Sequence, residues 1–201
     1  MRRIGSIILG IMAVIAFVAL LGVQFFHVSR NALDVPKGVA QPHFTLTGTD
    51  GKTVSEADFR GKYLIIYFGY IFCPDVCPTN LSAIAEGLDK LGAKADNVVP
   101  IFISVDPARD TPDKLKDYVA QFSPRMIGLT GSPEQVQKAA EQFGVFYARG
   151  PGEGDAYSVD HSAFTYIVGP DGVRLDTLAH GFSPERLVDL LSQKIGNPAS
   201  P

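Results

Sequence analysis

KYLIIYFGYIFCPDVCP, residues 62–78, joins two kinds of sequence. Lys62 to Tyr70 is a nearly continuous run of apolar, aromatic and β-branched residues, the pattern of a strand covered on both faces. Directly after it come the only cysteines of the chain, Cys73 and Cys77, each followed by proline. That order puts both at the carboxyl end of a central strand, where open α/β sheets place their ligands. A residue preceding proline is biased out of the α region. The spacing therefore predicts a strand ending near Tyr70, a turn through Pro74, Asp75 and Val76, and Cys77 as the N-cap of a helix whose first residue is Pro78.

Working outward, Leu81, Ile84, Ala85 and Leu88 recur at helical spacing and stop near Gly92. Val98 to Asp106 is a second buried strand. Thr111-Pro112-Asp113 opens a helix with Leu115, Tyr118, Val119 and Phe122 as its stripe. A short strand at Met126 to Leu129 precedes a helix capped by Ser132 and stopped by Gly144. Val145 to Ala148 is a further short strand, followed by a loop from Gly150 to Asp155. Ala163 to Val168 forms a strand that turns at Asp171-Gly172 into a partner, Val173 to Leu178, before a last helix capped by Ser183. Upstream, Phe44 to Thr47, Asp50-Gly51 and Lys52 to Val54 read as a hairpin. The pattern predicts an α/β fold, a thioredoxin-like mixed sheet flanked by helices with an added N-terminal hairpin.

One transmembrane helix is expected ahead of that domain. Ile4 to Phe26 carries no charge, and as a helix it spans about 34 Å, enough for a hydrocarbon core of about 30 Å. Arg2 and Arg3 precede it, so the N-terminus is expected in the cytoplasm and the domain outside, at a bacterial inner membrane. The run is longer than a signal-peptide core, which favours a retained anchor. The expected organisation is an N-terminal stub and anchor (1–29), a linker (30–41), the domain (42–196) and a tail (197–201). Arg2, Arg3 and Arg30 take three of the 18 basic residues, whereas all 21 acidic ones follow them, so the outer part is more acidic than the overall −3. Nucleic acid is a poor partner for such a surface.

Two cysteines outside the cytoplasm are ordinarily a structural disulfide. Here the bridge would close few residues and constrain the unfolded chain little. A helix N-terminus instead favours the thiolate, the form that binds metals and attacks disulfides. Of four histidines, His27 adjoins the apolar run, His43 precedes the first strand and His180 sits in a turn before the last helix. His161 stands at the entrance of the strand AFTYIV, which a thioredoxin-like sheet brings beside the cysteine loop. Cys73, Cys77 and His161 would make a soft three-coordinate set that suits copper, Cu(I) above all. Structural zinc wants four protein ligands, and zinc completed by Asp75 or Asp160 stays open. Asp160 either orients the imidazole or is a solvated carboxylate.

With Cys73-Pro-Asp-Val-Cys77-Pro after FGY, the DP-x-RDTP stretch at Asp106 to Pro112, IGLTG at Ile127 to Gly131, and DHS at Asp160 to Ser162, the chain resembles the Sco/SenC family. Ile71 departs from it, since Thr or Ser is usual two residues before the first cysteine. The resemblance implies a thioredoxin-like fold behind one N-terminal helix, and copper, as Cu(I) and also as Cu(II), held by Cys73, Cys77 and His161. It implies help in assembling the CuA site of cytochrome c oxidase, with the CuA-bearing subunit, a copper donor and a thiol reductant as partners. A thiol-disulfide oxidoreductase acting on the CuA-site cysteines is the alternative, with Cys73 and Cys77 as its catalytic pair. A peroxiredoxin is disfavoured, because its pattern needs Pro at Ile66 and Thr at Tyr70. Asp106 and Arg109, which match the family's DP-x-R stretch, read as loop and helix-entry structure, with a direct role in copper transfer as the alternative, and Tyr70 and Phe72 read as packing, with partner docking as the alternative.

Overall fold

The structure, a computed structural model, describes residues 41–196. The expected membrane anchor, nearly all of the linker and the tail lie outside them, and no helix among the described residues is long and apolar enough to cross a membrane. In chain order the elements are β1 (Thr45–Gly48), β2 (Thr53–Ser55), β3 (Tyr63–Gly69), α1 (Val76–Leu91), β4 (Val98–Ser104), α2 (Pro112–Ala120), β5 (Ile127–Thr130) and α3 (Pro133–Phe143). They continue with β6 (Tyr147–Arg149), β7 (Val159–His161), β8 (Phe164–Val168), β9 (Arg174–Ala179) and α4 (Pro184–Gly196). Short 3-10 turns follow β2 and α1.

Seven strands form one mixed sheet in the order β2-β1-β5-β4-β3-β8-β9. β3 lies inside it, parallel to β4 and antiparallel to β8, and is buried at every position. Its alternation divides the core. Leu64, Ile66 and Phe68 face Val136, Ala139, Ala140 and Phe143 of α3, together with Phe44 and Leu46 of the N-terminal hairpin. Tyr63, Ile65 and Tyr67 face Leu81, Ile84 and Leu88 of α1, Leu115 of α2, and Leu187 and Leu191 of α4. Each fully buried Leu- or Phe-sized side chain contributes about 1.5–3 kcal/mol of transfer free energy, so a strand filled on both faces anchors whatever follows it. The cysteine loop follows it.

The expected mixed α/β architecture and N-terminal hairpin are present, the latter paired Leu46 to Val54. Helix stops and starts obey their local chemistry: Thr111 and Ser132 accept hydrogen bonds from the third residues beyond them, and Gly144 ends α3 in the left-handed region.

Two local expectations fail. The helix after the cysteine loop begins at Val76 with Asp75 as N-cap, so Cys77 lies inside its first turn. Thr79 N–H already donates to the Asp75 carbonyl at 3.1 Å. Pro78 forfeits no intrahelical bond there, because first-turn amides have no intrahelical partner, so the steric bias on the residue before it, a preference and not a prohibition, is all that opposes this start. Second, β6 and β7 pair only with each other, Tyr147 opposite His161, in a separate two-stranded sheet. His161 ends that ribbon rather than opening β8.

Candidate metal centre

β3 ends in Gly69, and the chain leaves the sheet through Tyr70, Ile71 and Phe72 to Cys73. Two bonds hold this exit. Cys73 N–H donates to the Tyr70 carbonyl at 3.2 Å, and Ile71 N–H donates to Asp110 Oδ2 at 3.0 Å. That oxygen also accepts Ser104 Oγ–H at 2.7 Å, and burial raises the Asp110 carboxyl to about 6. The first turn of α1 then brings Cys77 back under Cys73, and Cys77 N–H points at Cys73 Sγ at 3.4 Å. This is one of the amides a helix start leaves free.

The ribbon delivers the third group. His161 Nε2 lies 3.4 Å from Cys77 Sγ, and one donor atom from each of Cys73, Cys77 and His161 lies within 4.8 Å of the others. The ring is walled edge-on by Tyr67 and Tyr70, at centroid distances of 6.2 and 5.8 Å. Its Nδ1 is 3.2 Å from the Ser162 carbonyl. A carbonyl only accepts, so that contact puts the ring proton on Nδ1 and leaves the Nε2 lone pair for the sulfur side. Cys77 is buried, while Cys73 and His161 are half-buried, so the cluster opens to solvent on one side.

Of the two thiols, one loses its proton easily and the other holds its own. The hydrogen bond from the Cys77 thiol, aided by those from the Cys77 and Asp75 amides, brings Cys73 down to about 3 against the cost of its burial. Donation to Cys73, together with burial, pushes Cys77 far above the ordinary thiol range. Burial first, and then the sulfur charge, keep the Tyr67 hydroxyl, 4.0 Å from Cys77 Sγ, protonated. Cys73 is thus the nucleophile and Cys77 the reserve. In the reduced, metal-free protein, iodoacetamide is expected to label Cys73 at a rate nearly flat from about pH 5 to 8. Cys77 should label only on unfolding. Peptide mass mapping checks this; equal labelling, or a Cys73 rate rising tenfold per pH unit, contradicts it.

The other sequence candidates lie elsewhere. His43 pairs with Glu56 beside the hairpin, and His180 Nδ1 contacts Asn80 Oδ1 at 3.3 Å. Asp75 is exposed and accepts the Thr79 hydroxyl; Asp160 is exposed, and the imidazole takes a backbone carbonyl instead. Neither carboxylate joins the three-residue cluster. Tyr70 is packing, as expected, but Phe72 is 53% exposed beside Cys73. Tyr67, Ser162 and Tyr157 had no assigned role at the site in the sequence reading. The usable signal was Tyr67, a hydroxyl in an otherwise apolar strand, since buried tyrosines seek a polar partner.

The SCO1/SenC family pattern matches residues 35–196. The chain belongs to this family. Among curated relatives, the mouse protein SCO2 homolog, mitochondrial, is 41% identical over 160 residues, covering 78% of this chain and 63% of the mouse protein. The chain therefore spans less than two thirds of that relative's length. Among solved structures, Arabidopsis thaliana ScoI with copper bound is 38% identical with a TM-score of 0.73, over 80% of this chain and 99% of that one. BsSco, described as a member of the Sco family of cytochrome c oxidase assembly proteins in which a disulfide switch was identified, is 25% identical with a TM-score of 0.64, over 80% and 96%. The thioredoxin-like α/β fold expected from the strand and helix pattern is the fold of these structures.

Proposed function

We propose that this SCO1/SenC chain is a membrane-tethered copper metallochaperone that takes copper on Cys73, Cys77 and His161 and helps assemble the CuA site of cytochrome c oxidase. The observation that carries this is the meeting of two sulfurs and one imidazole nitrogen within 4.8 Å on a half-open face. Two soft thiolates and a neutral imidazole fit Cu(I), and three donors are too few for a closed zinc site. Copper bound in Arabidopsis ScoI and the assembly role given for the BsSco family support it. Copper is cargo in this role, so the residues must release it. Low coordination leaves an approach for an acceptor's ligands, and half-buried Cys73 is the sulfur that approach would meet first.

The proposal includes an anchor within residues 1–29, a linker over 30–41, the copper domain over 42–196 outside a bacterial inner membrane, and a tail over 197–201. Its partners are the CuA-bearing oxidase subunit, a copper donor and an extracytoplasmic thiol reductant. The last is needed because an oxidised Cys73–Cys77 pair offers no thiolate. A second function has its own support in the low Cys73 and high Cys77 proton affinities, the arrangement of a thiol-disulfide oxidoreductase. There Cys73 would attack a disulfide in the apo-CuA site, Cys77 would release the mixed disulfide, and the site's two thiols would leave reduced while this pair became oxidised.

His161 separates the two. Anaerobic Cu(I) titration of the reduced protein is expected to show one equivalent bound, more weakly in His161→Ala, and oxidase assembly in cells should fail with that variant. Full oxidase assembly with His161→Ala, while either cysteine variant abolishes it, would replace metal delivery by thiol exchange.

A further inference from the structure

His161 sits on a ribbon that shares no strand pairing with the main sheet, whereas both sulfurs hang from β3 and α1. Something must hold the ribbon at the right distance, and the loop between β4 and α2 supplies it. Arg109 is 5% exposed, deep for a charged side chain. Its Nη1 donates to the carbonyls of Asp155 and Tyr157, each at 2.8 Å, on the segment that leads into β7 and His161. Its Nε donates to the Asp106 carboxylate, whose other oxygen accepts the Tyr157 hydroxyl at 2.6 Å. The guanidinium lies 3.5 Å from the centre of the Tyr157 ring, 4.8 Å from that of Phe72 and 5.6 Å from that of Tyr70. Phe72 and Tyr70 belong to the cysteine loop, and Tyr70 is also the wall of the imidazole. One residue on, Asp110 fixes the same loop through Ile71 N–H.

We propose that Arg109, with Asp106 and Tyr157, is a clasp that sets the imidazole of His161 against the two sulfurs, so that Arg109 is a positioning residue for the metal set. The inference rests on the copper reading of that set. Arginine suits the task because its rigid fork spans two carbonyls and a carboxylate while its face stacks on aromatic rings; lysine offers a single point charge. Without the clasp the ribbon keeps its own pairing but loses its fixed relation to the cysteine loop. The protein should then bind copper as though His161 were missing.

The test is a double-mutant cycle on the reduced protein: wild type, Arg109→Gln, His161→Ala and the double variant, titrated anaerobically with Cu(I) against a chromophoric chelator. Partners that hold metal ligands in place typically contribute about 10- to 100-fold in affinity. Arg109→Gln is expected to weaken Cu(I) by that factor in the wild-type background and not at all in the His161→Ala background. In the metal-free protein, hydrogen exchange at residues 155–162 should quicken while β3 and β8 stay protected. Equal weakening in both backgrounds, or none in either, overturns the clasp while leaving the ligand set intact; a His161→Ala protein that binds like wild type overturns the ligand set itself. If Arg109→Gln does not fold, the same cycle with Arg109→Lys, which keeps the buried charge beside Asp106, decides between these outcomes.

Discussion

Reduced protein carrying Cys73→Ala or Cys77→Ala is expected to lose Cu(I) affinity by about a hundred- to a thousandfold. Four-ligand structural sites gather about 10–16 kcal/mol, so one ligand is responsible for about 2.5–4 kcal/mol, and each 1.4 kcal/mol is tenfold. Thiolates are the softest donors here, which puts their loss at the upper end for Cu(I). The two variants should differ in side effects. Cys73 is half-buried at a loop, and its removal should leave stability nearly unchanged. Cys77 is fully buried against Tyr67, so its truncation also opens a small cavity and should lower the melting temperature. Chelator competition with a parallel thermal melt measures both. Wild type oxidised to the Cys73–Cys77 disulfide offers neither thiolate and should bind more weakly than either variant until a thiol reductant restores it. Tight one-equivalent binding by both alanine variants would remove the cysteines from the site.

What was legible in the sequence were features that one segment specifies alone. β3 declares itself because a strand buried on both faces needs an unbroken apolar run, and α2 and α3 do so because Thr111-Pro112 and Ser132-Pro133 each combine a cap with a proline in the first turn. The pairing of His161 with the cysteines was reachable because a thioredoxin-like sheet order leaves few routes for the chain between them. The exact helix start was not legible: the proline bias argues against helix at Cys77, and only a compact first turn shows that Pro78 forfeits nothing. The ribbon was not legible either, since three-residue strands carry no period, and Tyr147 to Arg149 pairs with Val159 to His161 across a Gly-rich loop. Arg109 was read as helix-entry structure because its partners, Asp155, Tyr157 and Phe72, converge only in three dimensions.

Gly69→Ala should damage fold and site together. The residue does not have positive φ, so in open space the added methyl would stabilise the protein by about 0.4–1 kcal/mol through the unfolded chain. Space is what is missing. A Cβ there would lie 2.6 Å from Cys77 Sγ, 2.9 Å from Phe102 Cε2 and 3.2 Å from Tyr67 Cε1, all on fully buried side chains. The backbone has little freedom to retreat, because Gly69 is in register with Ser104 of β4 and its carbonyl accepts Val105 N–H at 2.8 Å. Overpacking of this kind costs about 1–3 kcal/mol, which outweighs the entropic gain. The sulfur can yield only by rotating away from the site, so Cu(I) binding should fall towards that of Cys77→Ala. Denaturant titration and chelator competition test both effects, and the pair Gly69→Ala with Cys77→Ala tests the cause. Removing the sulfur makes room for the methyl, so the double variant should be less destabilised than the sum of the two single changes, with no further loss of copper. A Gly69→Ala protein with wild-type midpoint and wild-type affinity would mean that the strand end and the Cys77 side chain are not packed against each other in solution.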